Sequence, residues 1–294
     1  MTTVWTAAGI ALIAVVAHDV FTVLFRAGAE SRTSGSIARV VWTLLRRGSG
    51  ERRKVLALAG PIAVATVMGF WAVTLVLGWA LIYLPHYPEA YVLADGTAPH
   101  GAFAGAAHIS LTTVTTLGTA NLVPKPAWLQ VVSPIESLIG FGLLTAAVTW
   151  LIQIYPVLSS RRALAYEIHL LADTERRLEL QVPRLETSVA AELYAELTSR
   201  LIAVERDLVK FPITYYFAET DPRFALAAAM PVLTEIAERG KAEEHADSVR
   251  LRAAMLHEAI EEFADTVVAR FVLHRRHDVS DAIAAFARDH RHDP

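Results

Sequence analysis

From residue 55 to residue 157 the chain carries only four Asp, Glu, Lys or Arg side chains: Glu89, Asp95, Lys125 and Glu136. So long a stretch with so little charge cannot cover the surface of a soluble domain. It holds two apolar segments, residues 56–84 and 128–157, and a third at residues 4–25 precedes it. Each reaches the ~20 residues that a helix needs to cross ~30 Å of hydrocarbon. After Ser160 the composition changes and charges recur every few residues. The sequence therefore predicts an all-α membrane protein with three transmembrane helices, followed by a cytoplasmic helical bundle. The expected divisions are residues 1–26 (first transmembrane helix), 27–55 (a basic cytoplasmic loop with an interfacial helix), 56–157 (the main membrane domain) and 158–294 (the cytoplasmic domain).

The basic loop sets the orientation. It carries Arg26, Arg32, Arg39, Arg46, Arg47, Arg52, Arg53 and Lys54 against Glu30 and Glu51, whereas residues 85–105 contain no Lys or Arg. The positive-inside rule places the first loop in the cytoplasm and the second outside, with the N-terminus outside and the tail inside. Ile37, Val40, Val41, Leu44 and Leu45 recur at helical spacing among these arginines, the pattern of a helix lying on an anionic leaflet. Before the first apolar run there is no basic segment, and no small-residue cleavage site follows it, so it reads as a retained span in the cell membrane. Within it, His18 and Asp19 are costly in lipid, and the plain expectation is a polar contact to a neighbouring helix. With no cysteine there is neither a disulfide framework nor a thiolate metal site, and a net charge of -3 gives no reason to expect a nucleic-acid partner.

Residues 110–124, SLTTVTTLGTANLVP, are rich in Thr and uncharged, and lie between two membrane-length segments. Irregular backbone at membrane depth is tolerated only where protein buries it or where it lines water. The preceding residues 102–115 are apolar but too short to cross, which suits a re-entrant half-helix that stops mid-membrane before the chain turns back out through Pro124 and Pro126. Thr hydroxyls and free carbonyls can replace the hydration shell of a cation.

The order of outer helix, half-helix, Thr-rich ascending segment and inner helix resembles the pore domain of potassium channels. Against that family's Ser-x-x-Thr-x-Thr-Thr-Val-Gly-Tyr-Gly-Asp-x-x-Pro, this chain has Ser110, Thr113, Thr115, Thr116, Leu117, Gly118, Thr119, Ala120, Asn121 and Pro124. Glu136 and Gly140 also fall where many such inner helices carry Glu and Gly. The resemblance covers about 100 residues, 56–157, and makes that division a pore domain of outer helix, pore helix, filter and inner helix. It implies a homotetramer, since one chain supplies one loop. It further implies an ion filter of Thr116, Leu117, Gly118, Thr119, Ala120 and Asn121, supported by Thr115 and Glu136. The inner helix would have a gating hinge at Gly140 and Gly142. The permeant species would be a monovalent cation, K+ by family habit, with no cofactor. The chain departs from the pattern where Thr119 replaces the Tyr, Ala120 the second Gly and Asn121 the Asp, so the outer half of the filter is expected to take a different shape. A non-conducting membrane scaffold or sensor on the same fold is the alternative.

Other features yield less. No helix repeats Arg at every third position and no Gly-rich nucleotide loop follows a strand, so neither a voltage sensor nor a dinucleotide-binding regulator is expected. The tail is expected to form helices over 161–181, 185–210, 224–238 (interrupted at Pro231), 242–274 and 281–290, packed as an antiparallel bundle. Its ligand or partner cannot be read from the sequence. The run His257-Glu258-Ala-Ile-Glu261 lacks the second His of a zinc-protease helix, so no metal site is expected there. His274, His277, His290 and His292 suggest a solvated, frayed end, and Tyr215, Tyr216 and Phe217 suggest bundle core. No pairing of nucleophile and base points to an enzyme.

Overall fold

The structure, a computed structural model, describes residues 2–26, 31–48, 53–93, 101–118, 122–271 and 279–292. Three helices are long and apolar enough to cross a membrane: Thr2–Phe25, Arg53–His86 and Ala127–Leu178. Within the second, a short helix α3 (Arg53–Leu56) leads into α4 (Ala59–Tyr83), where Pro61 sits in the first turn and its missing N–H costs nothing. The other elements are α1 (Thr2–Phe25), α2 (Arg32–Gly48), β1 (Tyr91–Leu93), α5 (Ala102–Val114), β2 (Leu122–Pro124), α6 (Ala127–Leu178), α7 (Thr187–Lys210), α8 (Leu226–Gly240), α9 (Asp247–Arg270) and α10 (Val279–Asp289). The chain divides into two compact units, one of Met1–Ile37 with Val64–Ile152 and one of Ala38–Ala63 with Gln153–Pro294.

In the first unit α1 meets α4 through two glycines. A Cβ on Gly9 would fall 2.4 Å from the carbonyl oxygen of Gly78, so the backbones approach closely enough for dispersion contacts to hold apolar helices together. The core gathers Leu75, Trp79, Ile82 and Tyr83 of α4 around Ala106 and Ile109 of α5, with Tyr87, Tyr91, Leu122 and Leu129 closing one end. A two-stranded antiparallel ribbon pairs Tyr91 with Pro124, Val92 with Val123 and Leu93 with Leu122. No sequence signal marks this ribbon, because three residues are too few to show an alternating pattern.

The second unit is a helical bundle, and its core includes Leu164 and Ile168 of α6, Tyr194, Leu197 and Leu201 of α7, Leu233 and Ile236 of α8, and Leu256, Ile260 and Phe263 of α9. Three expectations change here. The expected division at residues 157/158 falls inside a helix, and the boundary between the units lies five residues earlier, at Ile152/Gln153. Helix α6 runs 52 residues through Pro156 and the two arginines after it. Its residues 158–178 contain no Gly or Pro, so nothing stops it. Residues 38–63 belong to the bundle rather than to a free loop and the pore domain: Trp42 is buried among its aromatic rings, and Gly60 lies so close to Phe217 that a Cβ would fall 2.4 Å from that ring. Helix α8 runs unbroken past Pro231, an exposed residue in its second turn, where one missing N–H does not end the helix.

Candidate functional site

The site is built on α5, thirteen residues flanked by Gly101 and Thr115. Its small residues let it pack closely: a Cβ on Gly105 would fall 2.2 Å from the Tyr87 ring. The ribbon pairs the residues just before α5 with those just after the loop, so the chain leaves on this excursion and returns from it at the same place. The backbone N–H of Lys125 donates to the carbonyl of Ala90 (2.9 Å) and its Nζ to that of Glu89 (3.0 Å), extending the closure.

Beside α5 lies a buried polar cluster. Glu136 of α6 is wholly buried and accepts from the hydroxyl of Tyr83 and from Ser110 Oγ (2.7 Å). Ser110 also lies 2.9 Å from the Val76 carbonyl, so one hydroxyl ties α5 to both flanking helices. Ser137 Oγ donates to the Thr113 carbonyl (2.9 Å). Glu136 therefore braces the short helix one turn behind its end. Tyr83 has no assigned role in the sequence reading. Nothing local distinguishes a tyrosine that caps a buried acid from one at a membrane surface.

At the end of α5 the chain makes a left-handed turn. Thr115 Oγ donates to the Leu111 carbonyl (2.7 Å), and Thr116 takes φ 59° and Gly118 φ 77°. The N–H groups of Leu117 (2.9 Å) and Gly118 (3.1 Å) both donate to the Thr112 carbonyl, which satisfies a carbonyl that the helix leaves without a partner. A β-branched residue in this conformation costs ~1–2 kcal/mol. Left-handed torsion thus falls on Thr116 and Gly118. Thr115, Thr116, Leu117 and Gly118 are all exposed, Leu117 to 79%. Thr119, Ala120 and Asn121 lie outside the described residues.

The two glycines expected to form a hinge have different surroundings. A Cβ on Gly140 would fall 2.2 Å from the Val114 carbonyl oxygen, so this glycine gives α5 room to end against α6. Gly142 meets nothing within 4 Å. Helix α6 is continuous through both. One turn further, the sequence reading missed Thr145 and Thr149, which share an exposed face of α6 with Gly142. Their hydroxyls donate to the carbonyls four residues back (2.9 and 2.8 Å), leaving lone pairs outward. The signal was present as polar residues at helical spacing within an apolar span.

A second polar centre lies on α1. Asp19 is buried and accepts from Trp71 Nε1 (2.6 Å), Ser34 Oγ (2.5 Å) and the Ser31 hydroxyl, which is the helix contact expected of it; His18 is exposed.

The His-rich tail differs from expectation. His290 and His292 are buried, not frayed, while His274 and His277 lie outside the described residues. The His290 ring nitrogens face the carbonyls of Tyr215 (2.9 Å) and Phe286 (3.1 Å). Burial pushes its pKa down to about 4, although Asp289 beside it acts in the opposite sense. Burial likewise lowers His292, whose Nε2 lies 3.0 Å from the Glu219 carbonyl. Asp289 accepts from Tyr215 (2.6 Å), from Trp42 Nε1 (3.2 Å) and from Arg46 (2.6 Å). Tyr215 and Tyr216 are core, as their sequence context suggested; Phe217 is half-buried. His257 pairs with Glu238 and Glu261, and among the described residues no three His, Asp or Glu groups are placed to hold a metal ion.

No family model matches the chain, and no solved structure matches it. It is similar to YdjJ of Bacillus subtilis (strain 168), an uncharacterized membrane protein. The two are 23% identical over 242 residues, which cover 79% of this chain and 68% of the relative. With three helices of membrane-crossing length and composition, the chain is a helical membrane protein.

Proposed function

We propose that the chain forms a homotetrameric cation channel of the potassium-channel-like kind in the cell membrane. Each subunit has three spanning helices, an outward N-terminus and one re-entrant loop made by α5 and the residues after it. The carbonyls of Thr116, Leu117, Gly118 and Thr119 replace the hydration shell of a monovalent cation, with Ala120 and Asn121 at the outer mouth. Helix α6 lines the path below with Thr145 and Thr149, and bending near Gly140 and Gly142 gates it. The observation that carries this reading is the pairing of β1 with β2. A thirteen-residue apolar helix that starts and ends its excursion at one place is a half-crossing, and its uncharged Thr-rich end is exposed in a single chain, as a surface shared by four copies would be.

The test is flux from liposomes holding the purified protein, with potassium and sodium gradients run separately and Ala120→Gly alongside. Flux favouring potassium is expected if the altered filter keeps its selectivity, and flux of both ions if it does not. No flux in the parent with flux in Ala120→Gly means a filter closed by its sequence. Silence in both, or a dimeric assembly, supports instead a non-conducting scaffold or sensor.

A further inference from the structure

Helix α2 has more apolar surface than the bundle uses. On a helical projection Trp42, Ala38, Leu45, Val41, Ile37, Leu44 and Val40 fill an arc of roughly 200°. Only one side of that arc, through Ala38 and Trp42, is buried. Trp42 lies against the rings of Tyr215, Tyr216 and His290 and donates to Asp289. On the other side Val40 is 56% exposed and Leu44 64%, and the exposed guanidinium-bearing Arg47 borders them. The helix carries Arg32, Arg39, Arg46 and Arg47 and no acidic residue.

Where the helix starts narrows the choice of what covers this side. Ser31 and Ser34, at its beginning, donate to Asp19, which lies six residues before the end of α1 at Phe25. At 1.5 Å per residue, α2 therefore begins about 9 Å inside the end of an apolar span. A helix that starts at that depth, leaves one apolar strip uncovered and edges it with arginine has the features of an interfacial helix. The exposed Arg47 at the edge of that strip, on a helix that carries no acidic residue, favours an anionic leaflet over a neutral one.

We infer that the strip of Val40 and Leu44, edged by Arg47, docks on the anionic phospholipid surface of the bilayer that holds the chain. Trp42 and Asp289 anchor the opposite side of the same helix to the bundle. This assignment does not depend on whether the chain conducts ions.

The chain contains no cysteine, so a single Leu44→Cys change places one nitroxide on the strip in the full-length protein. Val40→Cys repeats the measurement at a second site, and Ser36→Cys reports the polar side. The reconstituted proteins are compared in phosphatidylcholine vesicles and in the same lipid doped with phosphatidylglycerol, scoring collisions with oxygen against those with a water-soluble nickel chelate. In doped vesicles the Leu44 and Val40 labels are expected to favour oxygen and the Ser36 label nickel. Adding Arg47→Gln is expected to raise nickel access at Leu44 about fivefold, the loss of one basic residue at an anionic surface. Equal nickel access at Leu44 and Ser36 in both vesicles overturns the inference. So does protection of equal strength in neutral and doped lipid. Protection accompanied by spin–spin broadening between labels assigns the strip to a second copy of the chain and also overturns it.

Discussion

The two units bury acidic side chains by different means. In the first, Asp19 and Glu136 take their hydrogen bonds from two serines and an indole, and from a tyrosine and a serine; among the described residues neither has a cation as partner. In the bundle, Glu175 pairs with Arg239 (2.6 Å) and Asp289 with Arg46 (2.6 Å). The apolar spans contain no Lys or Arg that could answer an acid, so neutral hydroxyl and indole donors must come from neighbouring helices. The bundle has water and arginine close by. The same chemical task thus ties helices together through neutral donors in one unit and through ion pairs at a half-exposed rim in the other.

The largest expected effect tests the neutral-donor arrangement. Glu136→Ala leaves the buried Tyr83 hydroxyl without its acceptor, while Ser110 keeps the Val76 carbonyl; the orphaned hydroxyl costs ~1–3 kcal/mol and the cavity left by the deleted side chain adds ~2 kcal/mol. Glu136→Gln keeps an acceptor and is expected to cost much less. Thermal unfolding of the detergent-solubilised protein compares them, and equal losses would show that the carboxylate itself, and not the acceptor, holds α5.

The bundle is expected to respond to acid. His290 is held near pKa 4 by burial, against 6.5 for the free ring. Below pH 6.5 the unfolded chain takes up a proton that the folded chain refuses, so stability is full above pH 6.5 and falls as the pH drops toward about 4. The loss approaches ~3 kcal/mol. His292 is shifted in the same direction and adds to it. Unfolding midpoints across this range, in the parent and in His290→Gln, measure the slope, and an unchanged slope in the variant would assign the acid response elsewhere.

The smallest effect comes from the rim ion pair. Arg46 is 43% exposed at its side chain, so Arg46→Gln is expected to cost only about 1 kcal/mol. Tyr215 and Trp42 still donate to Asp289 in that variant. A cost as large as that of Glu136→Ala would erase the contrast between the two units.

Some of this was legible in the residues. Three long apolar runs set the number of membrane-length helices, and the spacing of Ile37, Val40 and Leu44 marked α2. The short apolar run at 102–115 and the Thr-rich segment after it marked α5, because hydrophobic length, periodicity and breaker residues act locally. Pro231 and the arginines after Pro156 misled for the same reason: a local signal says nothing of whether water or packing will compensate for it. The ribbon was too short to leave a pattern.

Residue order alone is enough to put this chain in a membrane and to set an uncharged Thr-rich turn between two of its apolar helices. That Glu136 answers Tyr83 and Ser110, that Asp19 answers Trp71, that Gly140 receives the end of α5 and that His290 is buried follow from the folded chain and from nothing local. Those partners lie 26 to 75 residues apart, except for the contacts of Asp19 with Ser31 and Ser34 and of His290 with Phe286. Pairing at such distances is set by how helices pack, and helix packing depends on the summed shape of many side chains rather than on any run of neighbours.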